Sequence, residues 1–391
     1  MKKTVHKFTC YLFFIFSFVC FHSSTFAQDS SHLRISLLTC SPGNELYSTF
    51  GHSAYRVIDS SSVTDIVYNY GTFNFDDDGF YLKFIRGKLL YYVSAENFNG
   101  PEGFKYTYQS TNRGITEQVL NLTPAEKTTI QHFLNNNLRE ENKYYKYDFF
   151  FDNCTTRLRD ILKKNHDTTF TTKPVMHAGT TFRQAIYEYL DKNDKQWSKL
   201  GIDILLGEKC DRVMTAEQMQ FLPDNLMKSL DSANHPLILS RQNLYAVTDE
   251  PGKGSLFSPL VVFSLLLIAI ALLSLLKNSF AQKFLHGFDG ILFFTTGLLG
   301  IVLILMWFGT DHSMTKNNFN LLWAWPTNII IAFFVNSNKT WVKKYFAFNA
   351  VALVIVLLAW FFLRQHLNIS LIPIVLLIIY RSATKVFFEG N

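Results

Sequence analysis

The sequence predicts an α+β extracytoplasmic domain followed by an all-α transmembrane domain of about five spans. Three observations carry this reading: a charged-then-apolar leader, short alternating segments bounded by turns, and an abrupt change to long uncharged runs from Leu256. Hydrophobic residues make up 48% of the 391-residue chain and charged residues only 17%, with a mean hydropathy of +0.08. A mainly water-soluble protein carries more charge, nearer ~25%, which speaks against a purely cytosolic enzyme. The net charge of +6 is unevenly distributed. Residues 256–391 hold nine Lys/Arg and three Asp/Glu, which supplies the whole excess, while residues 1–255 balance at 28 of each. No basic face for nucleic acid is implied.

Residues 1–27 read as a signal peptide, with an uncleaved anchor as the alternative. Lys2, Lys3 and Lys7 form the charged region, Phe8–Phe21 the apolar region, and Thr25-Phe26-Ala27 a small-residue cleavage site. In the C-terminal part, Leu256–Leu276 and Gly290–Gly309 are each long enough to cross ~30 Å of hydrocarbon. Phe319–Val335 and Tyr345–Leu363 follow, and a short fifth candidate, Ile369–Tyr380, contains Pro373 and reads as a span or a re-entrant segment. Lys277, Lys283, Lys339, Lys343, Lys344, Arg381 and Lys385 fall on one side of these spans, against Lys316 and Arg364 on the other. Basic loops stay in the cytoplasm. The expected location is therefore the bacterial inner membrane, multi-pass, with the N-terminal domain in the periplasm.

Within residues 28–239, the periplasmic domain, Leu33–Thr39, Ala54–Asp59, Ile66–Tyr70 and Gly114–Leu122 alternate like strands. Thr123-Pro124-Ala125-Glu126 starts a helix to about Arg139, with Thr123 as N-cap, Pro124 in the first position and Glu126 closing a capping box. A second helix starts near Asp152 or Asn153, and Phe182–Asp191 is a third. Residues 240–255, with Pro251, Gly252 and Gly254, read as the linker into the transmembrane domain at 256–391.

Two motifs carry the chemistry. In Phe50-Gly51-His52-Ser53-Ala54-Tyr55-Arg56-Val57, a histidine follows a glycine at the mouth of a strand. In Tyr147–Arg157, YDFFFDNCTTR, a cysteine stands where a helix begins. Free N–H groups and the dipole at a helix start favour a thiolate, and a nearby imidazole can hold the ion pair and shuttle the proton. The same N–H groups can hold an oxyanion during acyl transfer. Beyond the leader only Cys40, Cys154 and Cys210 remain, so at least one is unpaired within the monomer. The preferred arrangement is a free Cys154 with Cys40 and Cys210 buried or bonded to each other; the alternative pairs Cys154 with one of them. No Cys/His spacing suggests a metal site.

These residues also carry a resemblance. The order of histidine on a strand, then cysteine at a helix start, resembles the permuted papain-like fold of lecithin–retinol acyltransferase and the NlpC-like hydrolases. FGHSAYRV, VYNYGTFNF, NKYYKYDFFFDNCTTRLRD and the membrane segment NFNLLWAWP look like the Lnb family of lipoprotein N-acyltransferases of Bacteroidota. The resemblance implies an enzyme that moves an acyl chain from a membrane phospholipid donor, through a cysteine thioester, to the α-amine of a diacylated lipoprotein acceptor. By position Cys154 matches the nucleophile and His52 the base. Asn69, on the same strand face as Val67, is the candidate to orient His52, as against a polar strand-end residue in contact with water.

Arg157, Asn153, His312 and Trp323 are the candidate substrate contacts. Arg157 has two readings, a phosphate contact or an ion pair with Asp148, Asp152 or Asp160. The tract Thr310–Trp325 likewise reads as a solvated hairpin with aromatic anchors or as a floor for a lipid headgroup. The Phe149-Phe150-Phe151 run reads as core. No metal or organic cofactor is required. The rival functions are a cysteine hydrolase, either phospholipase or cell-wall peptidase, and a non-catalytic binding or sensor protein.

Overall fold

The computed structural model describes residues 31–166, 169–247, 256–276 and 278–387. The leader and residues 248–255 of the expected linker lie outside them.

The N-terminal domain is built on one seven-stranded antiparallel sheet: β1 (Leu33–Cys40), β2 (His52–Asp59), β3 (Thr64–Thr72), β4 (Leu90–Asn97), β5 (Ile115–Leu120), β6 (Tyr144–Lys146) and β7 (Ile238–Tyr245). The strands lie in the order β6-β4-β3-β2-β1-β5-β7. All four strands read from the sequence are present. The expectation that the linker begins at Ser240 is corrected, because Ser240–Tyr245 completes the edge strand β7 along β5. Its sequence, ILSRQNLY, is polar and mostly exposed, as an edge strand with one solvated face allows.

The sheet is covered on both faces. Between the strands come α1 (Phe80–Ile85), α2 (Phe104–Ser110), α3 (Pro124–Asn137), α4 (Cys154–Asn165), α5 (Phe182–Lys192), α6 (Gln196–Leu205) and α7 (Pro223–Asp231). Ile35, Leu37, Tyr55, Val57 and Tyr68 bury against Ile130 and Leu134 of α3, Leu158 and Ile161 of α4, and Leu226 of α7. The opposite residues of the same strands, including Leu38, Cys40, Ala54 and Val67, bury against Phe98 and against Phe104 and Tyr108 of α2. The period-two alternation of the strands thus feeds two cores at once. The capping box at Thr123 and Glu126 forms, with Pro124 in the first turn. Helix α4 is fixed to the sheet by Leu158, wholly buried, and by the Tyr55 hydroxyl, which donates to the Leu158 carbonyl at 2.7 Å. Truncating such a leucine costs about 2–5 kcal/mol.

The C-terminal domain contains α8 (Pro259–Ser274), α9 (Ser279–Phe308), α10 (Thr340–Ala359) and α11 (Ile372–Phe387). Three helical stretches, Ser279–Phe308, Thr340–Phe362 and Ile369–Phe387, are long and apolar enough to cross a membrane; Pro259–Ser274 is apolar but shorter. The last stretch is a full-length helix rather than a short re-entrant one. Pro373 falls in the first turn of α11, where its missing N–H leaves no bond unmade.

The stretch read as a span over Phe319–Val335 is instead a series of short turns: Phe319–Leu322, Asn328–Ile331 and Ala332–Phe334. Non-helical backbone at membrane depth must be satisfied by protein, and α9 supplies that shelter. A Cβ on Gly297 would lie 2.1 Å from the Ile329 nitrogen, and one on Gly300 2.2 Å from the Ala324 carbonyl. Only bare glycine lets the broken segment lie so close. Asn328, wholly buried, donates to Thr296 and accepts from Tyr345 at 2.7 Å.

The two domains are joined by a polar seam, which corrects the reading of the 310–325 tract as a solvated hairpin. Asn318, Asn320 and Thr315 are buried in it. The Asn318 amide donates to the carbonyls of Ile204 and Leu205, and the Asn320 amide to those of Asp203 and Ile204. Gln365 donates to Leu206, and Asn368 to the Asp203 carboxylate at 2.7 Å. Asp203 in turn pairs with Arg183 at 2.8 Å, both nearly solvent-free. The tract is thus a platform that seats the sheet domain on the helical one.

Candidate active site

Residues 52, 69 and 154 come together where the ends of β2 and β3 meet the start of α4. Asn153 caps that helix, its Oδ1 accepting from the N–H groups of Thr155 and Thr156 at 2.8 Å each. The cap leaves the N–H of Cys154, in the first helical position, as a donor with no partner in its own helix. The Thr155 hydroxyl donates to the Ser53 hydroxyl at 3.2 Å, which locks the helix start to β2 one residue after His52. Gly71 lies beside this junction at φ +90°, a backbone conformation that favours glycine; a Cβ there would make ordinary contact with the Cys154 Cβ at 3.6 Å and the Tyr147 ring at 3.7 Å.

The Cys154 thiol lies beside the His52 ring and the Ser53 backbone N–H, close enough for both to favour its anion. Burial raises the thiol, but the charge of His52 and hydrogen bonding from these groups outweigh it and bring it down to about 7. Burial alone would depress His52; the negative sulfur and the bonds from Cys154 and Asn69 hold it above its ordinary value instead. The two directions agree and describe a thiolate–imidazolium pair. His52 Nε2 lies 3.1 Å from Asn69 Oδ1, so the nitrogen left to the sulfur is Nδ1. On the far side, the Asn69 amide donates to Glu96 Oε1 at 2.5 Å. Tyr108 stacks on the His52 ring at 6.5 Å between centroids, and the Arg113 guanidinium lies over Tyr108 at 4.5 Å.

All three cysteines in the described residues are free, with Cys40 and Cys210 buried and Cys154 partly exposed. Cys40 stands beside His52 in the β1–β2 register, yet burial pushes its thiol up to about 12. Two neighbouring sulfurs are therefore opposite in character, one held protonated and one brought into the range where it ionises near neutrality.

The four residues expected to contact substrate have other partners. Asn153 has its whole amide engaged, with Nδ2 donating to the carbonyls of Phe149 and Phe221, and acts as the helix cap. Arg157 takes the ion-pair reading, meeting Asp152 with Nε at 2.6 Å and Nη2 at 2.8 Å and lying 3.4 Å over the Tyr145 ring. Trp323 is buried in the helical domain, its indole N–H on Asn320 at 2.9 Å, and is no interfacial anchor. His312 Nε2 lies 3.1 Å from the carbonyls of both Phe84 and Ile85, closing the end of α1. Phe150 is core, as expected of its run, whereas Phe151 is partly exposed. Glu96 and Tyr108 belong to the site and escaped sequence reasoning; the only signal was that Glu96 lies in the unrecognised strand β4, opposite Val67 of β3.

An antiparallel sheet with a cysteine–histidine pair at one end of its central strands, seated on a bundle of apolar helices, defines a membrane protein with an external thiol–imidazole domain. The chain belongs to the Lnb family. The family model described as the Lnb N-terminal periplasmic domain matches residues 22–189, and that of the Lnb transmembrane domain matches residues 251–390. No match was found among curated proteins or among solved structures.

Proposed function

We propose that the protein is a lipoprotein N-acyltransferase of the inner membrane, working by a cysteine thioester. The observation that carries this reading is the placement of Cys154 at the start of α4 beside His52, whose Nε2 is held 3.1 Å from Asn69 Oδ1, with the thiol brought down to about 7 by that imidazole. In the first half-reaction the Cys154 thiolate attacks an ester carbonyl of a phospholipid. The carbonyl carbon gains the sulfur and its oxygen becomes an oxyanion, for which the free Cys154 N–H is the nearest helix-end donor. Collapse breaks the bond to the glycerol oxygen, His52 protonates that alkoxide, and a lysophospholipid leaves an acyl-thioester behind.

In the second half, the α-amine of a diacylglyceryl-cysteine attacks the thioester. His52 takes a proton from the amine, an amide forms, and the Cys154 thiolate is released. No electrons change hands, so no redox partner is needed. The rigid seam between the domains supports the reading, because holding the pair beside the bilayer supplies proximity to two lipid substrates.

The test is mass spectrometry of purified wild-type protein incubated with phospholipid, followed by addition of a diacylated lipopeptide. The reading expects a one-acyl mass gain on Cys154 that disappears as the peptide becomes triacylated. Release of free fatty acid with no change in the peptide would make the protein a phospholipase; no covalent intermediate and full activity in Cys154→Ala would end the thiol mechanism.

A further inference from the structure

Helix α1 is short, and four of its six residues, Tyr81, Leu82, Phe84 and Ile85, expose large apolar surface, with Phe75 exposed just before it. Among the described residues nothing covers them. What fixes their position is the loop that follows the membrane helix α9. The Asp311 N–H donates to the Arg86 carbonyl at 2.9 Å, and the Asp311 carboxylate pairs with Lys146 at 2.9 Å. His312 meets the last carbonyls of α1. Three residues upstream of Asp311, α9 ends at Phe308, which, like Leu305, is exposed as a lipid-facing residue would be. The apolar surface of α1 is thus continuous with that of a span, and Arg86 and Lys88, both exposed, flank it on the side where anionic headgroups would sit.

Behind α1 the aromatic side chains form a row. Phe80, facing inward, lies 5.9 Å from Phe73 between ring centroids; Phe73 lies 5.3 Å from Tyr91; Tyr91 stacks on Tyr147 at 4.3 Å. Tyr147 and the Cys154 Cβ then share the space over Gly71. Phe73, Tyr91 and Tyr147 are each partly exposed, Tyr91 and Tyr147 with one side packed on the core, so the row keeps an accessible edge.

We propose that α1 lies in the outer leaflet of the membrane and that the row Phe80–Phe73–Tyr91–Tyr147 is the track along which a phospholipid acyl chain reaches Cys154. The leaflet contact stands on the geometry alone; the track rests on the acyltransferase reading above. A chain drawn up this row reaches the sulfur from the bilayer without its methylenes crossing water, which is the main cost of lifting a lipid from its leaflet.

The experiment places a photoreactive benzoylphenylalanine at Leu82 in the full chain, in vesicles of phosphatidylethanolamine and phosphatidylglycerol, and reads lipid adducts by mass spectrometry. Val63, 90% exposed in the β2–β3 turn, is the control. Adducts at position 82 and none at 63 are expected; no adduct at 82, or equal adducts at both, overturns the leaflet contact. In a second arm Phe73→Trp narrows the track. Acylation of Cys154 by long-chain phospholipid should fall by about tenfold or more, while alkylation of Cys154 by iodoacetamide stays as in wild type. Unchanged acylation overturns the track. A wild-type protein that gives the adduct at 82 yet is never acylated on Cys154 keeps the leaflet contact, and removes the acyltransferase reading and the track with it.

Discussion

Asn69 turns its amide oxygen toward His52, 3.1 Å from Nε2, because its other end is taken by Glu96. An amide oxygen can only accept, so Nε2 must carry a proton and Nδ1 is left to exchange one with Cys154. Glu96 thus sets the tautomer of a histidine it does not touch. Burial holds the Glu96 carboxyl above its ordinary value, and the Asn69 bond and the His52 charge offset only part of that rise.

The chain of three orders its own variants. Asn69→Leu removes the acceptor and should slow acyl transfer on the order of 10²-fold, within the range of a misdirected general base. Asn69→Asp keeps an acceptor at the same place and adds a charge that favours imidazolium, so it should retain far more activity. Glu96→Leu should fall between them, since the amide keeps its place but loses what selects its orientation. Rates of Cys154 acylation for the three variants would check the order; equal rates in Asn69→Leu and Asn69→Asp would show that this side chain only fills space.

The ionisation of Cys154 is open to direct measurement. A thiol brought down to about 7 is half thiolate near neutrality, so alkylation by iodoacetamide should rise through a midpoint near that pH. His52→Ala deletes both the charge and the hydrogen bond while burial, which opposes ionisation, remains. The midpoint should then move upward, past that of an ordinary free thiol at ~8.5. The direction follows from the sign of each contribution: the partner favours the anion and burial disfavours it. Cys40 provides an internal control, since a thiol pushed up to about 12 stays unlabelled across this range.

Much of this site was legible in the sequence because its chemistry is local. A cysteine after an N-capping Asn153, and a histidine after Gly51, announce a helix start and a strand mouth without any knowledge of the fold. Asn69 could be picked out by strand alternation, since its face is settled by Val67 two residues away. Glu96 could not, because β4 reads LYYVSAEN, whose apolar start and polar end give no clean alternation. The residues read as substrate contacts have protein partners that the sequence showed only in part. Asn153, Arg157, His312 and Trp323 are polar or amphipathic residues in suggestive places; Arg157 and Trp323 find partners five and three residues away, while Asn153 and His312 also meet carbonyls that sequence distance conceals. His312 meets carbonyls 227 and 228 residues earlier, and Asn318 meets one 114 residues earlier. The 319–335 stretch misled because hydropathy reports burial in an apolar medium and not helix: its shelter comes from glycines on α9.

Gly71 should be the least replaceable residue near the sulfur. Its φ of +90° lies where an L side chain is strained by about 1–3 kcal/mol, and a Cβ there would stand against both Cys154 and Tyr147. Gly71→Ala is expected to fold with a lowered melting temperature. Its alkylation rate should stay near wild type, because the methyl group would rest at ordinary contact distance against the Cys154 Cβ and the Tyr147 ring, which places the cost in the backbone. A variant whose alkylation falls along with its stability would show that the methyl group crowds the sulfur as well.

The seam between the domains depends on Arg183, which is 1% exposed and meets Asp203 at 2.8 Å and Asp211 at 2.9 Å. Asp203 is itself nearly solvent-free and holds Asn368 of the helical domain and the Tyr187 hydroxyl. Removing the cation strands a carboxylate that cannot reach water, a loss of about 3–5 kcal/mol for a buried pair broken on one side. Arg183→Met conserves much of the volume and should lower stability by that order, read as a fall in melting temperature in detergent. Because Asp203 bridges the two domains, the weakened seam should also expose the α6 region to protease while α4 and its Cys154 remain protected. Replacing Asp203 with Asn in the same chain relieves the stranded charge and keeps both a donor and an acceptor, so the double variant should recover part of the loss. If Arg183→Met alone matches wild type in both melting and proteolysis, the ion pair is not what seats one domain on the other, and the amides of Asn318, Asn320 and Gln365 carry that contact.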